Sequence, residues 1–132
     1  MQYETQVFIT GHSLGGALAT LCAADPSDRS NLPTPILYTF ASPKVGNTAF
    51  VQGFNNGLAK TCNAKLKTFC RVRFYRPMDV VPTVPPLPDF THVNHDYPTN
   101  GVDSSGSGGG VLPGPKPHGM SKYRELIQGG AF

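Results

Sequence analysis

The sequence predicts an α/β fold with a mostly parallel sheet and flanking helices. Short β-branched or aromatic runs of strand length alternate with stretches of helical composition, an order that indicates a parallel sheet. The length of 132 residues corresponds to one domain. A chain of this length can bury roughly two thirds of its unfolded surface, so we expect residues 1–132 to form one domain with a single core.

The first strand and the first helix meet at a glycine-rich corner. Residues 6–10 (QVFIT) form a short run that predicts a buried strand, and Gly11 ends it. Residues 14–24 (LGGALATLCAA) are apolar on nearly every side, which predicts a helix that is buried rather than amphipathic. Asp25-Pro26 is expected to end this helix, because the residue before a proline disfavours helical geometry.

The middle of the chain predicts a second strand and a second helix. Residues 36–40 (ILYTF) have strand composition, and a turn-rich connection follows over 41–46. Asn47 is a suitable N-cap for a helix over 48–54, and we expect Asn55-Asn56-Gly57 to end that helix.

The last part of the chain predicts one more strand and one more helix. Residues 71–75 (RVRFY) alternate basic and apolar side chains, which predicts a strand with one exposed face. A proline-rich loop is expected over 78–90, and a mobile Gly/Ser-rich segment over 101–110. The final helix is predicted over 120–128 and ends before Gly129-Gly130.

The composition excludes several function classes. The net charge is only +3 and the basic residues form no continuous stripe, so nucleic-acid binding is not expected. No apolar run approaches the ~20 residues that a transmembrane helix needs. The cysteines include no C-x-x-C pair and predict no metal site. Cys22 is expected in the core, whereas Cys62 and Cys70 could form a disulfide.

A serine occupies the corner between the first strand and the first helix, in the pattern Gly11-His12-Ser13-Leu14-Gly15. A Gly-x-Ser-x-Gly sequence between a strand and a helix is typical of a nucleophile elbow. We expect Ser13 to adopt a positive φ, and we expect the two glycines to avoid collisions in a tight turn. The N–H of Leu14 at the helix N-terminus would then stabilise an oxyanion. The alternative is a glycine-rich turn in which Ser13 only caps the helix.

A serine nucleophile needs a base, and the base needs an orienting acid, which lies between them in the sequence of elbow enzymes. Asp79 follows the predicted strand 71–75, at the carboxyl edge of the sheet where Ser13 is also expected. Asp25 and Asp28 follow the far end of the first helix, roughly 15 Å from the serine. We therefore predict Asp79 as the acid rather than as a surface turn residue. The remaining downstream acids are Asp89, Asp96, Asp103 and Glu125.

Three histidines follow the acid, and His118 is the predicted base. It comes after a flexible segment and can reach back over the sheet edge, whereas His92 and His95 have less chain with which to do so. Their alternative role is hydrogen bonding within the loop, and a metal site at His92-x-x-His95-Asp96 lacks a further ligand at suitable spacing. His12 adjoins the nucleophile and is grouped with the substrate-binding candidates. Its side chain is nevertheless expected to point away from the reacting side and to support the structure.

The chain contains five segments in a fixed order: VFITGHSLGGALATL, YTFASPKVGN, RFYRPMDVVPTVPP, FTHVNHDY and HGMSKY. Together they resemble class 3 lipases, the fungal-type lipases of the α/β-hydrolase fold, over nearly the whole chain. The most diagnostic blocks are FASPKVGN at 40–47 and DVVP at 79–82. The resemblance implies a catalytic triad, because the family's nucleophile, acid and base motifs match Ser13, Asp79 and His118. It also implies that a histidine at the position of His92 is not the base.

The resemblance departs from the family pattern at the start of the chain. In the family, several strands, a lid helix and the loop with the second oxyanion donor precede the elbow, whereas only twelve residues precede Ser13 here. This implies a partial α/β-hydrolase fold, the C-terminal half of the domain, without the N-terminal strands. We therefore expect the strand at 6–10 to present an apolar edge. Loss of one oxyanion donor would add ~2.7–4 kcal/mol to the barrier.

The predicted function is hydrolysis of carboxylic esters, with acylglycerols as the expected substrates. No metal or organic cofactor is implied, and the family resemblance implies transient contact with a lipid interface and favours an extracellular location. The alternatives are a non-catalytic fragment that keeps the fold elements, or a feruloyl esterase or phospholipase A1 of the same family. The candidate acyl-site residues, for which an ordinary core role is the alternative, are Val81, Val84, Leu87 and Phe90.

Overall fold

The structure is a computed structural model that describes residues 6–25, 35–59, 71–76, 79–93, 95–98 and 118–129. Its strands are β1 (Phe8–His12), β2 (Ile36–Phe40), β3 (Gly46–Asn47), β4 (Arg71–Tyr75), β5 (Phe90–Thr91) and β6 (His95–Pro98). Four of them form one sheet in the order β1-β2-β4-β6, and every pairing in it is parallel. The antiparallel pair β3–β5 is separate. The predicted α/β layout around a parallel sheet is confirmed.

Three helices accompany the sheet: α1 (Leu14–Ala24), α2 (Thr48–Ala59) and α3 (Met120–Gln128). The bounds of α1 and α3 match the predictions, and the predicted Asn47 cap is confirmed, because its Oδ1 accepts the N–H of Phe50 at 2.9 Å. The predicted end of α2 at Asn55-Asn56-Gly57 is wrong. Glycine and asparagine cost at most about 1 kcal/mol each in a helix, and the buried side chains of Val51 and Phe54 hold the preceding turns against the core. No described helix is long and apolar enough to cross a membrane.

The first strand lies two residues further along the chain than the predicted 6–10. It pairs with β2 from Phe8 opposite Ile36 to His12 opposite Phe40, so the ladder continues through Gly11 into the corner. The glycine that was expected to end the strand is therefore part of it. In the described part of the chain β1 pairs only with β2 and lies at the edge of the sheet, where Phe8 is 63% exposed. Phe8 fits the expected apolar edge among the described residues, and for the protein as a whole the edge stays a prediction.

The core lies on one face of the sheet, where α1 and α2 pack. On β2, Leu37 and Thr39 are buried on this face, as the two-residue period of a strand requires. The opposite face carries an aromatic layer in which Phe40 stacks on Phe74 at 5.0 Å and also meets Tyr123 of α3 at 6.4 Å. Helices therefore cover both faces. The core cluster consists of Ala19, Ala23, Leu37, Val51, Phe54 and Val93.

The first helix is not buried on all sides, so that prediction is wrong. It packs on β1 and β2 through small residues such as Ala19, Thr20 and Ala23. Three of its larger side chains lie on the other side and are exposed. Leu14, Leu18 and Leu21 are 67%, 58% and 46% exposed. Cys22 is also exposed, which corrects its expected place in the core.

Strand β4 differs from the prediction in its basic face. Arg73 was expected to face solvent, but it is only 5% exposed. Its guanidinium carbon lies 4.3 Å from the centre of the Tyr75 ring, a cation–π arrangement that accommodates a charge in a covered place. The loop expected over 78–90 contains a 3₁₀ turn at Val81–Thr83. Residues 61–70, with the cysteines of the suggested disulfide, and the Gly/Ser-rich segment at 101–110 lie outside the described residues.

Candidate active site

The corner between β1 and α1 holds Ser13 in a strained conformation. Its φ is 58° and its ψ is −130°, so the expected positive φ is confirmed. The N–H of Ser13 donates to the carbonyl of Phe40 at 2.9 Å, and its carbonyl accepts the N–H of Gly16 at 2.9 Å. These bonds tie the corner to the end of β2 and to the first turn of the helix. The surrounding structure thus determines a conformation that costs about 1–3 kcal/mol for a residue with a side chain.

The glycines around this corner do not all serve the same purpose. A Cβ on Gly11 would collide with the main chain of Gly15, so no side chain fits there. A Cβ on Gly16 would lie 2.8 Å from Cβ of Ser42. A Cβ on Gly15 would meet nothing within 4 Å, which makes the prediction of a collision at that position wrong. The tightest approach is between Gly11 and the main chain of the helix, and on the helix side the crowded position is Gly16 rather than Gly15.

Three side chains from distant parts of the chain form a continuous hydrogen-bond relay. Nε2 of His118 lies 2.7 Å from Oγ of Ser13, and its Nδ1 lies 3.0 and 3.1 Å from the two oxygens of Asp79. An ionised carboxylate can only accept, so Nδ1 carries the proton. Nε2 is then an acceptor for the serine hydroxyl. The structure thus brings together the three residues that the sequence singled out, and the imidazole is placed to remove a proton from Ser13.

Asp79 follows the last residue of β4 by four positions, and the residue is only 2% exposed. Its Oδ1 accepts the N–H of Val81 at 3.0 Å, and its own N–H donates to the carbonyl of Arg76 at 3.0 Å. A buried carboxylate needs donors such as the N–H of Val81, because burying an unpaired charge is costly. The 3₁₀ turn that follows Asp79 supplies one of them, so the loop conformation contributes to the orientation of the acid.

Tyr123 belongs to the same network, although its sequence context did not single it out as a site residue. Its side chain is fully buried, its hydroxyl donates to Oδ2 of Asp79 at 2.7 Å, and it accepts the N–H of Arg76 at 3.1 Å. Burial, and then the hydrogen bond to Asp79, raise the pKa of Tyr123 well above its ordinary value, so the hydroxyl stays a donor. The only sequence signal is a tyrosine in the helix that follows the candidate base. Such a signal is weak, because many buried tyrosines serve packing.

The other histidines occupy different positions. Nε2–H of His92 donates to the carbonyl of Pro82 at 2.6 Å, which is the loop role considered for it. Nε2–H of His12 donates to the main-chain carbonyl of His118 at 2.7 Å, and the two imidazole rings lie 4.7 Å apart. His12 therefore packs against the candidate base. The side chain of His95 lies outside the described residues, and the described residues contain no cluster of three His, Cys, Asp or Glu side chains suited to a metal.

The remaining acids offer no comparable geometry where the structure describes them. Asp25 caps the far end of α1, and Glu125 forms an ion pair with Lys122 at 2.8 Å on α3. The main-chain carbonyl of Asp89 accepts the N–H of Thr48 at 3.1 Å. Asp28 and Asp103 lie outside the described residues, and so does the side chain of Asp96.

In the sequence, the predicted oxyanion donor directly follows Ser13, and the predicted acyl-site residues follow Asp79 within eleven positions. Leu14 is the first residue of α1, so its N–H has no acceptor within its own helix. Val84 and Leu87 are 39% and 50% exposed, which makes a core role for them wrong. Val81 and Phe90 are half-buried. An exposed apolar loop thus follows Asp79.

Comparison with known proteins gives consistent matches. The profile of the family described as Lipase (class 3) matches residues 1–88. Secreted mono- and diacylglycerol lipase A from Penicillium cyclopium is 39% identical over 93 residues, covering 70% of this chain and 27% of the relative. Phospholipase A1-IIgamma from Arabidopsis thaliana is 33% identical over 104 residues, covering 72% and 22%. The solved triacylglyceride lipase of Rhizomucor miehei matches with a TM-score of 0.54 and 35% identity, covering 71% of this chain and 33% of that chain. The chain therefore spans about a quarter of the length of the curated relatives.

Proposed function

Since the chain belongs to the class 3 lipase family and has part of its α/β-hydrolase fold, we propose that it is a serine carboxylic-ester hydrolase that acts on acylglycerols. One observation carries the proposal: Nε2 of His118 lies 2.7 Å from Oγ of Ser13, while its Nδ1 is held by Asp79. A hydroxyl is a poor nucleophile at neutral pH, and this relay supplies the base that it lacks.

In the acylation step, Oγ of Ser13 attacks the ester carbonyl while Nε2 of His118 takes the hydroxyl proton. The carbonyl oxygen becomes an oxyanion next to the N-terminus of α1, where the N–H of Leu14 is the proposed donor. The tetrahedral intermediate then loses its alcohol. His118 returns the proton to the departing oxygen, and the acyl group remains on the serine as an ester.

In the deacylation step, a water molecule repeats the attack. His118 takes a proton from the water, the hydroxide adds to the acyl carbon, and the carbon–oxygen bond to Ser13 breaks. The serine oxygen recovers its proton from His118, and a carboxylic acid leaves. Asp79 keeps Nδ1 protonated and stabilises the imidazolium that forms in both steps.

The relatives are named for different substrates, which leaves the alcohol part of the ester open. The Penicillium and Rhizomucor proteins are named for acylglycerols, and the Arabidopsis protein is named as a phospholipase A1. We propose acylglycerols because, of these two relatives that each match about 70% of this chain, the mono- and diacylglycerol lipase has the higher identity, 39% against 33%. Transient contact with a lipid surface is proposed for the exposed Val80, Val84 and Leu87. An extracellular location is proposed because that lipase is named as secreted.

The test combines an active-site probe with turnover. A fluorophosphonate reporter should label the parent chain on Ser13, and a short-chain nitrophenyl ester should be hydrolysed. Ser13→Ala should abolish both readouts, and His118→Gln should lower both by roughly 10³-fold or more. His92→Gln is the matched control. It makes the same change of side chain, but the imidazole that it removes donates to the carbonyl of Pro82 and takes no part in the relay.

The outcomes separate the candidate functions. Failure of the parent to label or to turn over, while its circular dichroism shows a folded chain, would favour the non-catalytic alternative. Activity that His118→Gln retains and His92→Gln loses would refute the assigned base. Rates on monoacylglycerol, triacylglycerol and phosphatidylcholine micelles then decide the substrate class, and preference for phosphatidylcholine would replace the acylglycerol proposal with the phospholipase alternative.

A further inference from the structure

We propose that His12 is a positioning residue that fixes the main chain of the base against the nucleophile corner. This proposal rests on the proposed function, in which His118 is the base. The observation behind it is the hydrogen bond from Nε2–H of His12 to the carbonyl of His118, at 2.7 Å between residues 106 positions apart. A carbonyl only accepts, so Nε2 of His12 must carry a proton.

The two ends of this bond differ in how they are held. His12 is the last residue of β1 and lies opposite Phe40 in the ladder, and the next residue, Ser13, donates its N–H to the Phe40 carbonyl. The imidazole therefore extends from a fixed point on the sheet. His118 precedes α3 and belongs to no strand. The bond ties this segment to the strand that carries the nucleophile.

The contact acts on a different part of His118 from the relay itself. Ser13 and Asp79 hold the ring through its two nitrogens, whereas His12 holds the carbonyl of the main chain. Fixing ring and main chain together limits rotation about the side-chain bonds between them. The His12 ring also packs 4.7 Å from the His118 ring, and the edge of Tyr123 lies 6.0 Å away on α3. His12 thus contacts His118 and Tyr123, the two residues whose side chains donate to Asp79.

This position accounts for the choice of residue beside the serine. Of the two roles considered for His12, support of the structure agrees with this bond, whereas donation to substrate would need the Nε2–H that the His118 carbonyl already accepts. Displacement of a base by about 1 Å can cost on the order of 100-fold in rate. A donor that prevents such a displacement changes kcat without touching substrate, so KM should stay nearly constant.

The experiment compares variants that differ in the donor. His12→Phe keeps a ring and removes the N–H, while His12→Gln keeps an N–H at a similar reach. We expect kcat for a nitrophenyl ester to fall about 10-fold to 100-fold in His12→Phe, with KM within about twofold, and to recover most of the loss in His12→Gln. His92→Phe is the control, because it removes the same kind of bond to the carbonyl of Pro82. Equal kcat in His12→Phe and the parent would overturn the proposal. If His12→Phe does not fold, His12→Leu takes its place.

A spectroscopic readout separates this proposal from the proposed function. The Nδ1 proton of His118, held by a carboxylate, should give a low-field proton resonance in the parent chain. We expect His12→Phe to broaden or lose it, and His12→Gln and His92→Phe to keep it. With an inactive parent, this pattern would support the positioning role while the ester hydrolase proposal fails. An unchanged resonance in His12→Phe would overturn the positioning role even if the parent is active.

Discussion

The hydroxyl of Tyr123 and the carboxylate of Asp79 form a 2.7 Å hydrogen bond on the oxygen that His118 also contacts. Two donors thus converge on Oδ2, and the N–H of Val81 holds Oδ1. The carboxylate cannot rotate without losing one of these partners. Because the tyrosine follows the histidine by only five positions, one short segment supplies both side-chain donors to the acid.

The first prediction concerns the catalytic contribution of this hydroxyl. Tyr123→Phe removes the donor to Asp79 and leaves the ring in place. Loss of a partner to a buried charged group costs about 1–3 kcal/mol, so we expect kcat to fall about 5-fold to 150-fold, while KM stays nearly constant. Steady-state hydrolysis of a nitrophenyl ester measures both constants.

The matched control for this prediction is Tyr38→Phe. Tyr38 also belongs to the aromatic layer, with its ring 6.2 Å from that of Phe74. It makes no described contact with Asp79. We expect its kcat to match that of the parent. A Tyr123→Phe variant that turns over as fast as Tyr38→Phe would show that the hydroxyl serves packing alone.

The second prediction is a loss of stability in alkali. Burial and the bond to Asp79 raise the pKa of Tyr123 above its ordinary value of 10.0, while the unfolded chain titrates near that value. Above pH 10 the unfolded state therefore loses a proton that the folded state keeps, and the free energy of unfolding falls as the pH rises. The slope from this group approaches about 1.4 kcal/mol per pH unit.

Urea unfolding followed by circular dichroism, from about pH 8 to about pH 11.5, measures this slope in the parent and in Tyr123→Phe. The variant is expected to be less stable at neutral pH and to show a shallower decline above pH 10. Other tyrosines and lysines titrate in both chains, so the difference between the two curves isolates Tyr123. Parallel curves would contradict the raised pKa.

Local parts of this architecture could be predicted from sequence, because each depends on neighbouring residues. The strand, corner and helix around Ser13 need only a β-branched run, a glycine and an apolar run, and the positive φ follows from that spacing. The placement of Asp79 follows from a general rule, since the carboxyl ends of parallel strands meet at one edge. Asp79 could therefore be assigned to this edge from its position after a predicted strand, without knowledge of the strand register.

Features that depend on distant residues could not be predicted in this way. Burial of Arg73 follows from what covers its face of the sheet and from the Tyr75 ring beneath it, which charge alternation does not reveal. Tyr123 and His12 gain their roles from contacts across 44 and 106 positions. The apolar composition of α1 shows only that the helix can be buried. Whether Leu18 is covered depends on which other elements pack against that side of the helix.

The third prediction separates the glycines of the corner. Gly15→Ala places a methyl group where nothing lies within 4 Å and replaces a helical glycine, so we expect the free energy of unfolding to rise by about 0.5–1 kcal/mol. Gly11→Ala drives a methyl group into the main chain of Gly15 and should lower it by about 1–3 kcal/mol or more. Urea unfolding of both variants provides the comparison. Equal destabilisation of the two would contradict the geometry.

The fourth prediction concerns the exposed side of α1. Leu18 and Leu21 are 58% and 46% exposed, so their replacement by lysine removes no core packing and should change the free energy of unfolding by less than about 0.5 kcal/mol. Leu37→Ala is the contrast, because Leu37 is fully buried and its truncation should cost about 2–5 kcal/mol. Exposed apolar stripes promote association, so sedimentation should show less self-association in Leu18→Lys and Leu21→Lys than in the parent. A loss of stability in Leu18→Lys as large as that in Leu37→Ala would mean that another part of the protein covers this face of the helix.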